Sequence, residues 1–258
     1  MFTPEERRRL AKEWKRKANG KDPADPDVVV DWHNQEKGQY LADAVFAAND
    51  GIITTFAVVA GIAGAELSAN IVIVLGVASL LADAASMGLG NYLGQKSEES
   101  FIRQLKKKEL WEIEHVPEKE KAEVREIFAK KGFTGPDLDR VVEVITSDKK
   151  VWVDTMLKDE LGVIEETDST PIRHGIVTWV SFIIAGFLPL IPYFIPGIQE
   201  NGFSWSIGMT FAALFTVGAL RTRLVDYHWF RAGFEMLFVG GIAAVIAYGV
   251  GAFLATIV

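Results

Sequence analysis

An all-α protein that crosses a membrane five times, with a helical domain inserted between the second and third crossings, follows from three features of this 258-residue sequence. Its 27 lysines and arginines are segregated, with 9 in residues 1–40, 15 in 96–173 and 3 in 221–231. The base-free stretches between them supply five apolar runs, roughly 41–65, 70–95, 174–198, 203–222 and 232–257. Each is about 20 residues or longer, enough at ~1.5 Å per residue to cross a hydrocarbon core of about 30 Å. The overall composition, 49% hydrophobic and 24% charged, would suit a soluble enzyme. It is the distribution that points to a membrane.

Residues 1–40 are polar and charged, without the apolar core and small-residue cleavage site of a signal peptide. The stretch from Glu5 to Lys17 puts Leu10 and Trp14 on one face, as a basic surface helix would; a solvated tail is the alternative. The short connections around 66–70 and 199–202 contain no base, whereas the amino terminus, the insert and the 221–231 turn hold all of them. By the positive-inside rule these three segments are cytoplasmic and the carboxyl terminus is outside. The chain thus divides into a cytoplasmic segment 1–40, spans one and two in 41–95, a cytoplasmic helical domain 96–173, and spans three to five in 174–258. Small residues at four-residue spacing, Ala57, Gly61 and Ala65 in the first span and Gly90 and Gly94 in the second, favour close helix packing. Cysteine is absent, which excludes disulfides and thiolate metal sites.

From Ala44 to Ala65 the one charge is Asp50. A carboxylate in mid-membrane costs at least ~2.5 kcal/mol, so it is expected to face a partner, a protein interior or a water-filled path. Asp43 lies seven residues earlier and Thr54 four later, on nearly the same helix face. Asp43, near the span edge, can also serve as a cap or a headgroup contact. In the second span Ser79, Asp83 and Met87 form a similar stripe, followed by Asn91. Counted from the cytoplasmic side, Asp50 lies ~14 Å deep, Met87 ~12 Å and Asp83 ~18 Å, so the three can meet at one level. Two carboxylates and a thioether suit a borderline divalent ion such as Fe²⁺ better than Ca²⁺ or Mg²⁺, and carboxylates can exchange metal for protons. Glu235 and Met236, at the cytoplasmic end of span five, are further candidates.

The insert reads as helices bounded by good punctuation. Span two runs on through Lys96 to His115, Pro117 and Gly132 bracket a second helix, and Pro136–Ser147 and Asp148–Gly162 make two more. Spacing of three pairs Glu109 with Glu112, Glu112 with His115, Glu120 with Glu123 and Glu123 with Glu126 on single faces, so that two such helices could hold a metal between them. The last helix adds Met156, Asp159 and Glu160. A carboxylate cluster with a methionine nearby again suits Fe²⁺, although glutamate-rich helices are more commonly solvated faces. Trp111, Phe128, Leu138, Val142, Trp152 and Leu157 are the expected apolar core.

The chain from about Tyr40 onward resembles the vacuolar iron transporter family, which includes nodulin-like and many prokaryotic members. The resemblance rests on Asn49-Asp50-Gly51-Ile52-Ile53-Thr54-Thr55, Ser86-Met87-Gly88-Leu89-Gly90-Asn91-Tyr92-Leu93, Asp154-Thr155-Met156-Leu157-Lys158-Asp159-Glu160-Leu161 and Pro189-Leu190-Ile191-Pro192-Tyr193. It implies a homodimer of five-helix subunits with a pore between them lined by spans one and two, moving Fe²⁺ out of the cytosol in exchange for protons, with Mn²⁺ as possible cargo. It also implies Asp50 and Met87 as pore ligands, and Glu109, Glu112, Glu120, Glu123, Met156 and Glu160 as collectors of metal at the cytoplasmic mouth. The partners so implied are divalent metal ions, protons, membrane lipid and a second copy of the chain; no permanent cofactor and no nucleic acid are expected. A plasma membrane location fits a prokaryotic member and a vacuolar one a eukaryote. One departure stands out: plant-type members carry a glutamate two turns before the span-two methionine, where this chain has Ser79, and here the acid is Asp83, one turn before it.

Two other classes compete. A membrane-anchored di-iron oxidase would use Glu109, Glu112 and His115, since Glu-x-x-His is part of ferritin-like sites, but it needs a second such motif that the sequence lacks. A metal sensor would bind through the insert without flux.

Overall fold

The computed structural model describes Thr3 and residues 35–163, 170–222 and 228–257. The chain divides into two units, Met1–Leu41 and Ala42–Val258. The surface helix expected around Leu10 and Trp14 lies outside the described residues. Among the described residues there are helices and turns but no strand.

In chain order, α1 spans Gln35–Gly64 and turns through Glu66, whose φ is +56°, into α2, Ala69–His115. At 47 residues α2 is ~70 Å long, twice what a bilayer core needs. It is apolar as far as Tyr92 and Leu93 and charged from Lys96 on, so its last ~30 Å stands outside the span. The insert follows as α3 (Pro117–Lys130), α4 (Gly135–Ser147) and α5 (Lys149–Thr155), the last continuing into a π-helical turn, Met156–Glu160. Proline at the first turn starts α3 and α4, Gly132 at φ +100° closes α3, and the Asp148 side chain caps α5 by accepting from the backbone N–H of Lys150 and Val151. Then come α6 (Pro171–Gly186), a 3₁₀ turn (Leu188–Leu190), the short α7 (Ile191–Phe194), a second 3₁₀ turn (Gln199–Asn201), α8 (Gly202–Arg221) and α9 (Trp229–Ala255).

Five of these segments are long and apolar enough to cross a membrane. The protein is an all-α polytopic membrane protein. The third span, expected as one run over 174–198, instead breaks after Gly186. Pro189 and Pro192 cannot donate to the helical ladder and clash with the preceding turn. The freed Pro189 carbonyl accepts from the buried Ser206 hydroxyl of α8 at 2.7 Å, which is how a membrane helix tolerates such a break.

Within the unit Ala42–Val258, α6 lies against both α1 and α2 through paired glycines. A Cβ added at Gly51 would stand 2.6 Å from the Phe182 carbonyl oxygen, and one at Gly186 would stand 2.8 Å from the Gly51 carbonyl. Gly88 and Gly175 bring α2 and α6 together in the same way. Gly61 likewise lets α9 approach α1 at Gly251. Among the described residues Gly90 and Gly94 serve no close packing, because a Cβ at either would meet nothing within 4 Å.

Ala47, Phe56 and Val59 of α1, Leu80 and Ala84 of α2 and Phe182 of α6 form the core of the spans. The insert has its own core of Ile113, Val124, Val142, Ile145, Trp152, Val153, Met156 and Leu157, with Phe128 and Leu138 packed against it. Trp111, expected there, is instead 55% exposed and stacks on His115.

Candidate metal centre and transmembrane polar path

The charged end of α2 and the first turn of α3 create a buried acidic site. Glu109 and Glu112 share one face of α2, and Glu120 approaches them from α3, so that one carboxylate oxygen from each lies within 4.8 Å of the others. Glu109 is 1% exposed and Glu120 fully buried. Oε2 of each has no hydrogen-bond partner among the described residues. A buried, unpartnered carboxylate oxygen is costly, and either a proton or a bound divalent cation would relieve it.

Electrostatics agree with the geometry. Glu109 lies some 14 residues beyond the apolar part of α2, outside the membrane. Burial, and then the carboxylates of Glu160, Glu112 and Glu120, push its carboxyl up to about 7. Burial and Glu123 raise Glu120, with Lys119 opposing; burial and Glu123 also raise Glu160, which sits exposed on the rim. Two lysines partly neutralise the cluster. Lys119 Nζ lies 3.0 Å from Glu123 and 3.4 Å from Glu120, and Lys108 Nζ lies 3.3 Å from Glu112. Because a bound metal would have to coexist with or displace the Lys119 ammonium, Lys119→Met should tighten divalent metal binding by roughly three- to tenfold, measured by titration calorimetry.

The other insert candidates are placed differently. Met156 is fully buried in the insert core, at the first position of the π turn. Asp159 is bonded to Lys131 at 2.5 Å. His115 is exposed, with Nδ1 2.8 Å from the Trp111 carbonyl oxygen of its own helix. The carboxylate trio does not include it.

In the spans, Asp50 and Asp83 are near enough to act on one another electrostatically. Ser79 donates to Asp83 Oδ2 at 2.9 Å, one turn along α2. Met87, part-buried, packs against the span core. The Thr54 hydroxyl, one turn after Asp50, donates to the Asp50 backbone carbonyl at 2.8 Å. Asn49 Oδ1, beside Asp50, is buried without a hydrogen-bond partner among the described residues. Glu235 lies apart, exposed and 4.0 Å from Arg221, a pair worth little, and Met236 is buried against Gly218.

Asp43 reaches across to another helix. Its Oδ2 is 2.5 Å from Nδ1 of His174 on α6, a buried residue absent from the sequence-derived candidates. The signal was available: a lone ionisable side chain just inside an apolar span, at the same end as Asp43.

A family model described as the VIT family matches residues 41–252, which contain every candidate from Asp43 to Glu235. The chain belongs to the VIT family. It is 36% identical to the vacuolar iron transporter of Toxoplasma gondii over 88% of this chain and 78% of the relative. It is 33% identical to vacuolar iron transporter 1 of Arabidopsis thaliana over 86% and 90%, and 30% identical to the vacuolar iron transporter of Plasmodium falciparum over 85% and 83%. VIT family membership and these relatives identify a transporter, not an enzyme, which sets aside the di-iron oxidase reading that His115 also fails to support.

Proposed function

We propose that this VIT-family protein exports Fe²⁺, or a similar divalent ion such as Mn²⁺, from the cytosol in exchange for protons, as a homodimer whose pore is lined by α1 and α2. The observation that carries the proposal is the continuity of α2. One unbroken helix holds Asp83 and Met87 in the membrane and Glu109 and Glu112 outside it. With the insert on the cytoplasmic side, as the placement of lysine and arginine indicates, the carboxylate trio captures metal at the cytoplasmic mouth of the path. Glu160 and Glu123, whose carboxylates act on Glu109 and Glu120, would extend the ligand set, with Met156, four residues before Glu160 on the π turn, as its sulfur donor. The ion then passes to Asp50, Asp83 and Met87.

Coupling follows from competition. A carboxylate that holds a proton cannot hold a metal with the same charge, so each occupancy of Asp50 by metal releases a proton, and the reverse. Protonated from the far side as metal leaves, Asp50 releases that proton to the cytosol when the next metal binds, so protons move against the metal.

The test is Fe²⁺ uptake into proteoliposomes with an imposed pH gradient, comparing wild type with a variant in which Glu109, Glu112, Glu120 and Glu123 are all glutamine. Proton-driven flux, weakened in the variant but not abolished, is expected. Metal bound by the insert without flux in wild type would make the protein a sensor and end the transport reading.

A further inference from the structure

The polar path has a supporting residue that lies outside α1 and α2. We infer that His174 of α6 is a positioning residue for transport, fixing the Asp43 carboxylate at the mouth of the path; this rests on the transport reading above.

His174 is 2% exposed and Asp43 20% exposed, so the bond between Nδ1 and Asp43 Oδ2 is made largely away from water. A hydrogen bond in such surroundings is stronger, and losing one partner costs more, than at a surface. The histidine is itself held from the other side. The Asn91 amide of α2 donates to the Thr178 hydroxyl at 2.7 Å and reaches the His174 carbonyl at 3.5 Å. The Gly88–Gly175 crossing clamps the two helices a turn away. α6 therefore connects both path helices at one level: it reads Asn91 on α2 and Asp43 on α1.

Asp43 precedes Asp50 by seven residues, or ~10.5 Å along α1 on nearly the same face. A free aspartate at that position would sample several rotamers. Engagement of Oδ2 selects one and leaves Oδ1 as the oxygen that can meet an entering cation. A carboxylate so restrained binds a passing ion through one oxygen, tightly enough to admit it and loosely enough to release it toward Asp50. The effect of His174 is thus on entry, not on the exchange at Asp50.

Substitution separates these roles. In proteoliposomes, His174→Leu should raise KM for Fe²⁺ roughly three- to tenfold while Vmax stays within about twofold of wild type. His174→Asn, whose amide can donate from near the Nδ1 position, should restore KM to within about twofold. Asp43→Asn should raise KM as His174→Leu does, and the double variant should be no worse than either single one. Unchanged KM in His174→Leu overturns the inference. So does a loss of Vmax and of thermal stability that asparagine fails to rescue, which would make His174 a packing element only. Absence of flux in wild type itself would instead defeat the transport reading, and the inference with it, before any variant is compared.

Discussion

Replacing Asp50 with asparagine is expected to abolish metal flux while leaving the protein folded. The side chain keeps its size and its place on α1, so the helix crossing at Gly51 and Gly186 is undisturbed. The change removes a charge whose burial in the membrane costs at least ~2.5 kcal/mol, so folding should be neutral or improved. What disappears is the ability to trade a proton for a metal. A neutral amide is a weak ligand for a divalent ion and does not titrate, and both halves of the exchange fail together. Flux should drop to about 1% of wild type or less, a loss of the size expected when binding and coupling depend on one charge. The measurement is Fe²⁺ uptake and intravesicular pH in the same vesicles, with melting temperature and size-exclusion profile as controls. Near-normal flux by a well-folded Asp50→Asn protein would remove Asp50 from the mechanism.

The spans and the insert helices were legible because their signals are local. Charge segregation marks the membrane runs, and proline and glycine mark α3 and α4 at their observed starts. The break in the third span was less visible because hydropathy continues straight through Pro189 and Pro192. Among the site residues, helical spacing brought Glu109 and Glu112 to one face, but no spacing rule could say that Glu120 would reach them across the turn at Val116. The same limit applies to His174 and Asp43, separated by 131 positions. Trp111, expected in the insert core, is exposed; its neighbours on α2 that are buried, Glu109 and Ile113, show that the covered face lies elsewhere on the helix. Pairs on one helix are written in the sequence, whereas pairs between helices depend on crossings set by small residues such as Gly51 and Gly88.

At Glu109, one substitution is expected to move metal affinity and apo stability in opposite directions. The buried carboxyl titrates near 7, well above its unfolded value of 4.5. Between those values the folded protein holds a proton that the unfolded chain releases, so the metal-free protein loses stability as pH rises from about 4.5 through 7. Given the neighbouring carboxylates, the loss is on the order of 1–3 kcal/mol. Glu109→Gln keeps the shape without the charge. In chelator, it should melt higher than wild type at pH 8 and close to wild type at pH 5. Its affinity for Fe²⁺ or Mn²⁺ should be lower by roughly 10- to 100-fold at pH 8, since one of three ligands has lost its charge. Wild-type affinity should also fall as pH drops through 7, where the proton and the metal compete for the same oxygen, and Glu109→Gln should flatten that dependence. A merely structural glutamate predicts the reverse on the first count, destabilisation in chelator, and no effect on the second. Melting curves with and without metal at pH 5 and pH 8, run on both proteins, separate the two: the metal-binding site is the one whose removal makes the empty protein stronger and the loaded one weaker.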